Sequence, residues 1–139
     1  MSTSADNVES LLLRSGAAFD QLDPTTWVLQ LDNHHRSRVV VKVEDPIVLF
    51  SLPLGMLDMI DGLADRERLY RTLLELNSDF MHNAYAIEGE RLVLSGALQS
   101  ENLDANEFQA IIDDLTMTLD NHLEKLSNWK LSARSTAEA

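Results

Sequence analysis

The hydrophobic pattern of the chain changes period four times, from helical to strand-like and back, and each change marks an element. Val8, Leu11, Leu12 and Phe19 stand at helical spacing after "DNVE", where Asp6 as N-cap and Glu9 three residues on form a capping-box pattern. Gly16 and "DQLDPTT" close this first helix, because proline cannot extend a helix interior. The period then falls to two. Thr26 to Leu31 places Trp27, Leu29 and Leu31 on one face, and Arg38 to Glu44 alternates after Val40. Pro46 to Leu54 is apolar at nearly every position, as in a strand covered on both faces. "DNHHRS" and "DP" between these runs read as turns.

From about Asp65 the helical period returns, with Leu69, Tyr70, Leu73, Leu74, Asn77 and Phe80 on one face. Two further strands are predicted, Ala84 to Glu88 and Arg91 to Leu98, with Gly89 in a hairpin turn and Gly96 at a bend or bulge. The last helix has the clearest start in the chain. Asp104 is its N-cap and Glu107 completes the box, while Leu103 and Phe108 make a hydrophobic staple. Phe108, Ile111, Ile112, Leu115, Leu119, Leu123 and Leu126 form its apolar stripe, and Gln109, Asp113, Asp114, Asp120 and Glu124 are expected in water. The element order is α-β-β-β-α-β-β-α. Short connections imply an α+β fold with a mostly antiparallel five-stranded sheet and helices packed on one face. A single domain over residues 1–139 is expected, with loose ends at 1–5 and 132–139.

Composition narrows the function classes. The 139 residues carry 11 Lys and Arg against 23 Asp and Glu, a net charge of −12. Nucleic-acid affinity rests on cations neutralising phosphates, so neither nucleic acid nor an anionic membrane is an expected partner. Such a charge keeps a chain soluble or selects basic polypeptides. No apolar run reaches the roughly 20 residues that span a membrane, and the start "MSTSADNVES" has no secretory pattern. The absence of cysteine excludes disulfides, thiolate catalysis and Cys-ligated metal. A cytoplasmic location is the expectation.

Catalytic signals are missing from the pattern. His34 and His35 adjoin in a predicted turn near Asp32, where neighbouring side chains diverge, so an exposed loop is favoured over a metal site. His122 sits at the edge of the final stripe and reads as a partly buried packing residue. No H-x-x-x-H pair, G-x-S-x-G, G-x-G-x-x-G or phosphate loop is present. No enzyme activity, metal or cofactor is expected. Asn77 lies on an apolar helix face, where its amide must find partners, and is expected to tie the helix end to a strand or loop.

The stretches "LLELNSDF" (Leu73 to Phe80) and "AYAIEGERLVLSGALQSENLDANEFQAIIDDLTMTLDNHLEKL" (Ala84 to Leu126) resemble the type III secretion chaperones and the YbjN family, which share one fold. The L-N at the end of the middle helix, the hairpin ending in an apolar strand and the long capped helix carry the resemblance. It implies a non-catalytic cytoplasmic protein, often a homodimer, chaperone-like or regulatory, with no catalytic residues to transfer. The expected function is binding of a polypeptide partner or of a second copy. The doubly apolar third strand points to Val48, Phe50 and Leu52 as protein-binding residues, and Trp27 of the first strand is counted with them, with Asn77, Asp104 and Glu107 as structural polar residues. The alternative is a regulatory domain that senses a small molecule in a pocket under the C-terminal helix, with Asn77 and Tyr85 among its polar groups.

Overall fold

The computed structural model describes residues 3–31 and 37–129. Helix α1 (Ser4–Ser15) has a different cap from the expected one. Thr3 is the N-cap: its hydroxyl accepts from the Asp6 N–H at 3.0 Å, and the Asp6 carboxylate accepts from the Thr3 N–H at 3.1 Å. Asp6 therefore fills the third helical position and is not the cap. Gly16 ends the helix in the left-handed region at φ 77°.

After that break comes a strand the pattern did not reveal, β1 (Ala18–Asp23). It pairs with β2 (Thr26–Gln30), from Ala18 opposite Gln30 to Asp23 opposite Thr26. The sheet thus has six strands, not five. "AFDQLD" shows no alternation because β1 is an edge strand held by its ladder; only Phe19 packs against the core, and it does so from the strand, not from α1. The other strands are β3 (Arg38–Glu44), β4 (Ile47–Met56), β5 (Asn83–Glu88) and β6 (Arg91–Gln99). Their order is β1-β2-β3-β4-β6-β5, every pair antiparallel. Helix α2 (Leu63–Leu76) carries the chain from central β4 to the far edge at β5, and the hairpin through Gly89, at φ 65°, brings β6 back between them.

The long C-terminal helix has two regular parts, α3 (Ala105–Asp113) and α4 (Leu119–Leu126), joined by a π-helical turn at Asp114–Thr118. Asp104 caps it, accepting from the Glu107 N–H at 2.7 Å. The apolar faces of the three helical segments and one face of the sheet meet in one core cluster.

Strand β4 decides which residues enter that core. Val48, Phe50, Leu52 and Leu54 are buried, while Ile47, Leu49, Ser51 and Pro53 on the other face are half-buried. Trp27, Val48, Phe50 and Leu52, expected to meet a partner, are 1%, 0%, 0% and 0% exposed and lie under the helices. The expectation chose the wrong one of two alternating sets: a strand apolar on both faces carries no mark of which face the helices take, and one residue of offset exchanges them. Phe50 meets Phe108 of α3 edge to face, ring centres 5.6 Å apart.

Gly96 is not at a bulge, since its pairings with Phe50 and Asn83 continue the registers on both sides. A Cβ there would stand 2.3 Å from Asn83 Oδ1 and 2.6 Å from the His82 carbonyl oxygen. The glycine makes room for the buried Asn83 side chain.

Candidate functional site

Helix α2 carries more apolar surface than the core absorbs. Leu69, Leu73 and Leu76 are buried, but Leu74, on the same predicted face, is 71% exposed. Tyr70 is half-buried beside it. The excess faces edge strand β5, whose Ile87 is 49% exposed. Between helix and strand runs an open groove of about 250 Å³ lined by Tyr70, Leu73, Leu74, Tyr85, Ile87 and Leu92. Large apolar side chains exposed side by side mark interaction surfaces more often than singly exposed ones.

A polar frame holds the groove in place. Asn77, at the end of α2, accepts from the Tyr85 backbone N–H at 2.7 Å, which is the helix-to-strand tie expected of it. The Tyr85 side chain passes into the core, where its hydroxyl lies 2.8 Å from His122 Nδ1. His122 Nε2 in turn lies 2.9 Å from the Asp79 carboxylate. With Nε2–H donating to Asp79, the neutral ring accepts from the Tyr85 hydroxyl through Nδ1, and all three groups are satisfied. Phe80 closes over this chain, its ring edge-on to Tyr85 at 5.4 Å and to His122 at 5.1 Å. Burial first, and the nearby Asp79 charge second, raise the Tyr85 phenol far above its ordinary value. It stays a neutral donor, and nothing in the frame makes it a nucleophile.

A second tie anchors the start of β5. Asp114, expected in water, is half-buried in the π-helical turn. One of its carboxylate oxygens accepts from the His82 N–H and the Asn83 side-chain amide, both at 3.0 Å. The Asn83 amide also donates to the Ile111 carbonyl at 3.3 Å.

Of the candidate site residues singled out from the sequence, Asn77 and Tyr85 border the groove. Asp104 and Glu107 serve the distant α3 cap, and Trp27, Val48, Phe50 and Leu52 are core. His34, His35 and Asp32 lie outside the described residues. Sequence reasoning missed the Asp79–His122–Tyr85 chain; its one visible trace was a histidine at the rim of an apolar stripe. Asn77 and Tyr85 do converge, as the small-molecule alternative required, but on an open groove beside β5 and with the Asn77 oxygen and Tyr85 hydroxyl bonded within the protein. Among the described residues no group of three or more His, Cys, Asp or Glu is placed to hold a metal, and no helix is long and apolar enough to cross a membrane.

The family model CesT_Tir_1 matches residues 1–132. Two solved structures share the fold. One is a chain of the heterodimeric ExoU–SpcU complex from the type III secretion system of Pseudomonas aeruginosa, 21% identical, with a TM-score of 0.59 over 79% of this chain and 89% of that one. The other is YbjN of E. coli, proposed to be a transcription regulator, 14% identical, with a TM-score of 0.61 over 91% of this chain and 93% of that one. No curated protein matches the chain.

Proposed function

The chain belongs to the CesT_Tir_1 family, a family of type III secretion chaperones, and from that premise we propose that it is a non-catalytic protein-binding module that holds an extended polypeptide segment in the groove between α2 and β5. The observation that carries this reading is the pairing of Leu74 at 71% exposure with Ile87 at 49% across an apolar, open groove. An extended segment fits such a site because its alternate side chains enter the groove while its backbone runs beside an edge strand. The net charge of −12 favours basic segments. One chain with this fold occurs in a heterodimeric complex of a secretion system, which agrees with a polypeptide partner. In this reading the protein works in the cytoplasm as a homodimer, whose second copy meets the half-buried apolar residues of the other sheet face, Val28, Val40 and Leu49.

The test compares wild type with a Leu74→Asp/Ile87→Asp double variant, purified from the native cell. Both side chains are exposed, so folding measured by circular dichroism should change by no more than about 0.5 kcal/mol per site. Loss of the co-purifying polypeptide by the folded variant supports the groove. Retention of the same partner at the same yield refutes it. Light scattering on the wild type and on Leu49→Asp tests the homodimer separately: a wild-type monomer refutes it, and a variant monomer locates it.

A further inference from the structure

The geometry points to a small-molecule site on the far flank of α2, a shelf beside Trp129 suited to a planar aromatic ring that carries a phosphate, as a nucleoside monophosphate does. The shelf shares no residue with the groove along β5.

Helix spacing sets the two flanks of α2 apart, because residues three and four apart share a face. Tyr70, Leu74 and Asn77 recur on the flank toward β5. Asp65, Arg68, Arg71 and Thr72 recur on the other. Trp129, three residues past the end of α4, packs against the core and stands half-buried beside them. These five residues line an open cavity of about 350 Å³, within the range of small-ligand sites.

The polar groups of the shelf keep capacity for a ligand. A guanidinium carries five N–H donors in a fixed fork. Arg68 engages Asp65 through Nη2, and Arg71 engages Glu75 through Nε at 3.1 Å. Nε and Nη1 of Arg68 and both terminal nitrogens of Arg71 have no hydrogen-bond partner among the described residues. Planar forks of this kind match phosphate oxygens. The Thr72 hydroxyl donates to the Arg68 carbonyl at 2.8 Å, so its oxygen can still accept. The half-buried Asp65 carboxylate accepts more bonds than its one arginine contact uses. Donors for an anion, acceptors for hydroxyl or amino groups, and a ring for stacking together complement a nucleotide.

Charge narrows the choice. The net −12 repels a free anion at long range, and Asp65 and Glu75 offset the two arginines locally. The field alone therefore holds nothing here. A ligand gains only by reaching the arginine forks and the Trp129 ring together, which favours a phosphate joined to a ring over inorganic phosphate.

The probe is AMP on the full chain, read by calorimetry and by tryptophan fluorescence excited beyond the adenine absorption. The chain has two tryptophans, and Trp27 is 1% exposed, so a ligand on the shelf quenches Trp129. Saturable quenching by AMP is expected. Inorganic phosphate, adenosine and phenyl phosphate should each bind about tenfold more weakly or worse, since each lacks one of the three kinds of contact. Arg68→Gln/Arg71→Gln should weaken AMP binding about a hundredfold, about tenfold for each guanidinium. Both side chains are exposed, at 69% and 83%, and circular dichroism checks that the variant folds. Leu74→Asp/Ile87→Asp, which alters the groove alone, should bind AMP as wild type does. Absence of saturable binding to wild type overturns the site and leaves the groove reading intact. Undiminished affinity in the folded arginine variant overturns its location. Phosphate, adenosine or phenyl phosphate binding as tightly as AMP overturns the nucleotide as its ligand.

Discussion

Adjacent residues of β4 are expected to respond to truncation in opposite ways. Phe50 is fully buried, with its ring against Phe108 at 5.6 Å. Leu49 points to the other face and is half-buried. Replacing a buried Phe by Ala removes its transfer free energy and leaves a cavity, which costs about 3–5 kcal/mol. A domain of this kind is stable by about 5–15 kcal/mol, so Phe50→Ala should leave a folded but weakened protein. With a urea m-value of about 2 kcal/mol/M, the unfolding midpoint should fall by about 2 M. Leu49→Ala removes a side chain that never left water completely and should cost about 1 kcal/mol or less, moving the midpoint by about 0.5 M. Urea titrations followed by circular dichroism measure both, with light scattering on the same samples. A Phe50→Ala variant of wild-type stability with a changed molecular mass would refute the assignment of faces, because it would put Phe50 at an interface. Equal losses at the two positions would refute it differently, by showing both faces of β4 to be core.

Gly96→Ala should lower stability by about 1–3 kcal/mol, seen as a lower melting temperature, because a Cβ there meets Asn83 Oδ1 at 2.3 Å and backbone at 2.6 Å; an unchanged melt would show that Asn83 moves aside at no cost. Asp104→Ala should cost about 1 kcal/mol in urea titration, through loss of the bond to the Glu107 N–H. Tyr85→Phe leaves His122 Nδ1 without its donor and should cost about 1 kcal/mol at neutral pH. The Tyr85 phenol is raised above its ordinary value of 10.0 by burial and by Asp79. Its contribution is therefore whole below pH 10 and diminishes as the pH rises beyond that, where the unfolded chain releases the proton and the folded one keeps it. Urea midpoints at pH 8 and 11 should draw closer between wild type and Tyr85→Phe, and a constant gap would contradict the buried neutral phenol.

Legibility followed local physics. The Asp104 cap, the Gly89 turn and the α3 stripe are decided within a few residues, by backbone donors seeking acceptors and by a single period of burial. Asn77 was legible as an anomaly, a polar residue among apolar ones, and its tie to Tyr85 fulfils the expectation. Strand β1 was not legible, because an edge strand with one buried contact has no alternation to show. Leu74 shares a face with Leu69 and Leu73 by spacing; spacing says which residues share a side of α2 but not how far the sheet extends beneath them.

The sequence by itself determined the α+β class, the antiparallel pairing of neighbouring strands and the element order apart from one edge strand. These rest on periods and short connections, which are properties of adjacent residues. Tertiary structure alone decided which face of β4 the helices cover, which apolar side chains of α2 remain in water, and that Asp79, His122 and Tyr85 form one hydrogen-bonded chain. His122 lies 37 residues from Tyr85 and 43 from Asp79, and no local rule reaches so far. The groove exists because strand order places β5 at the rim, where α2 overhangs it and, among the described residues, no further strand follows.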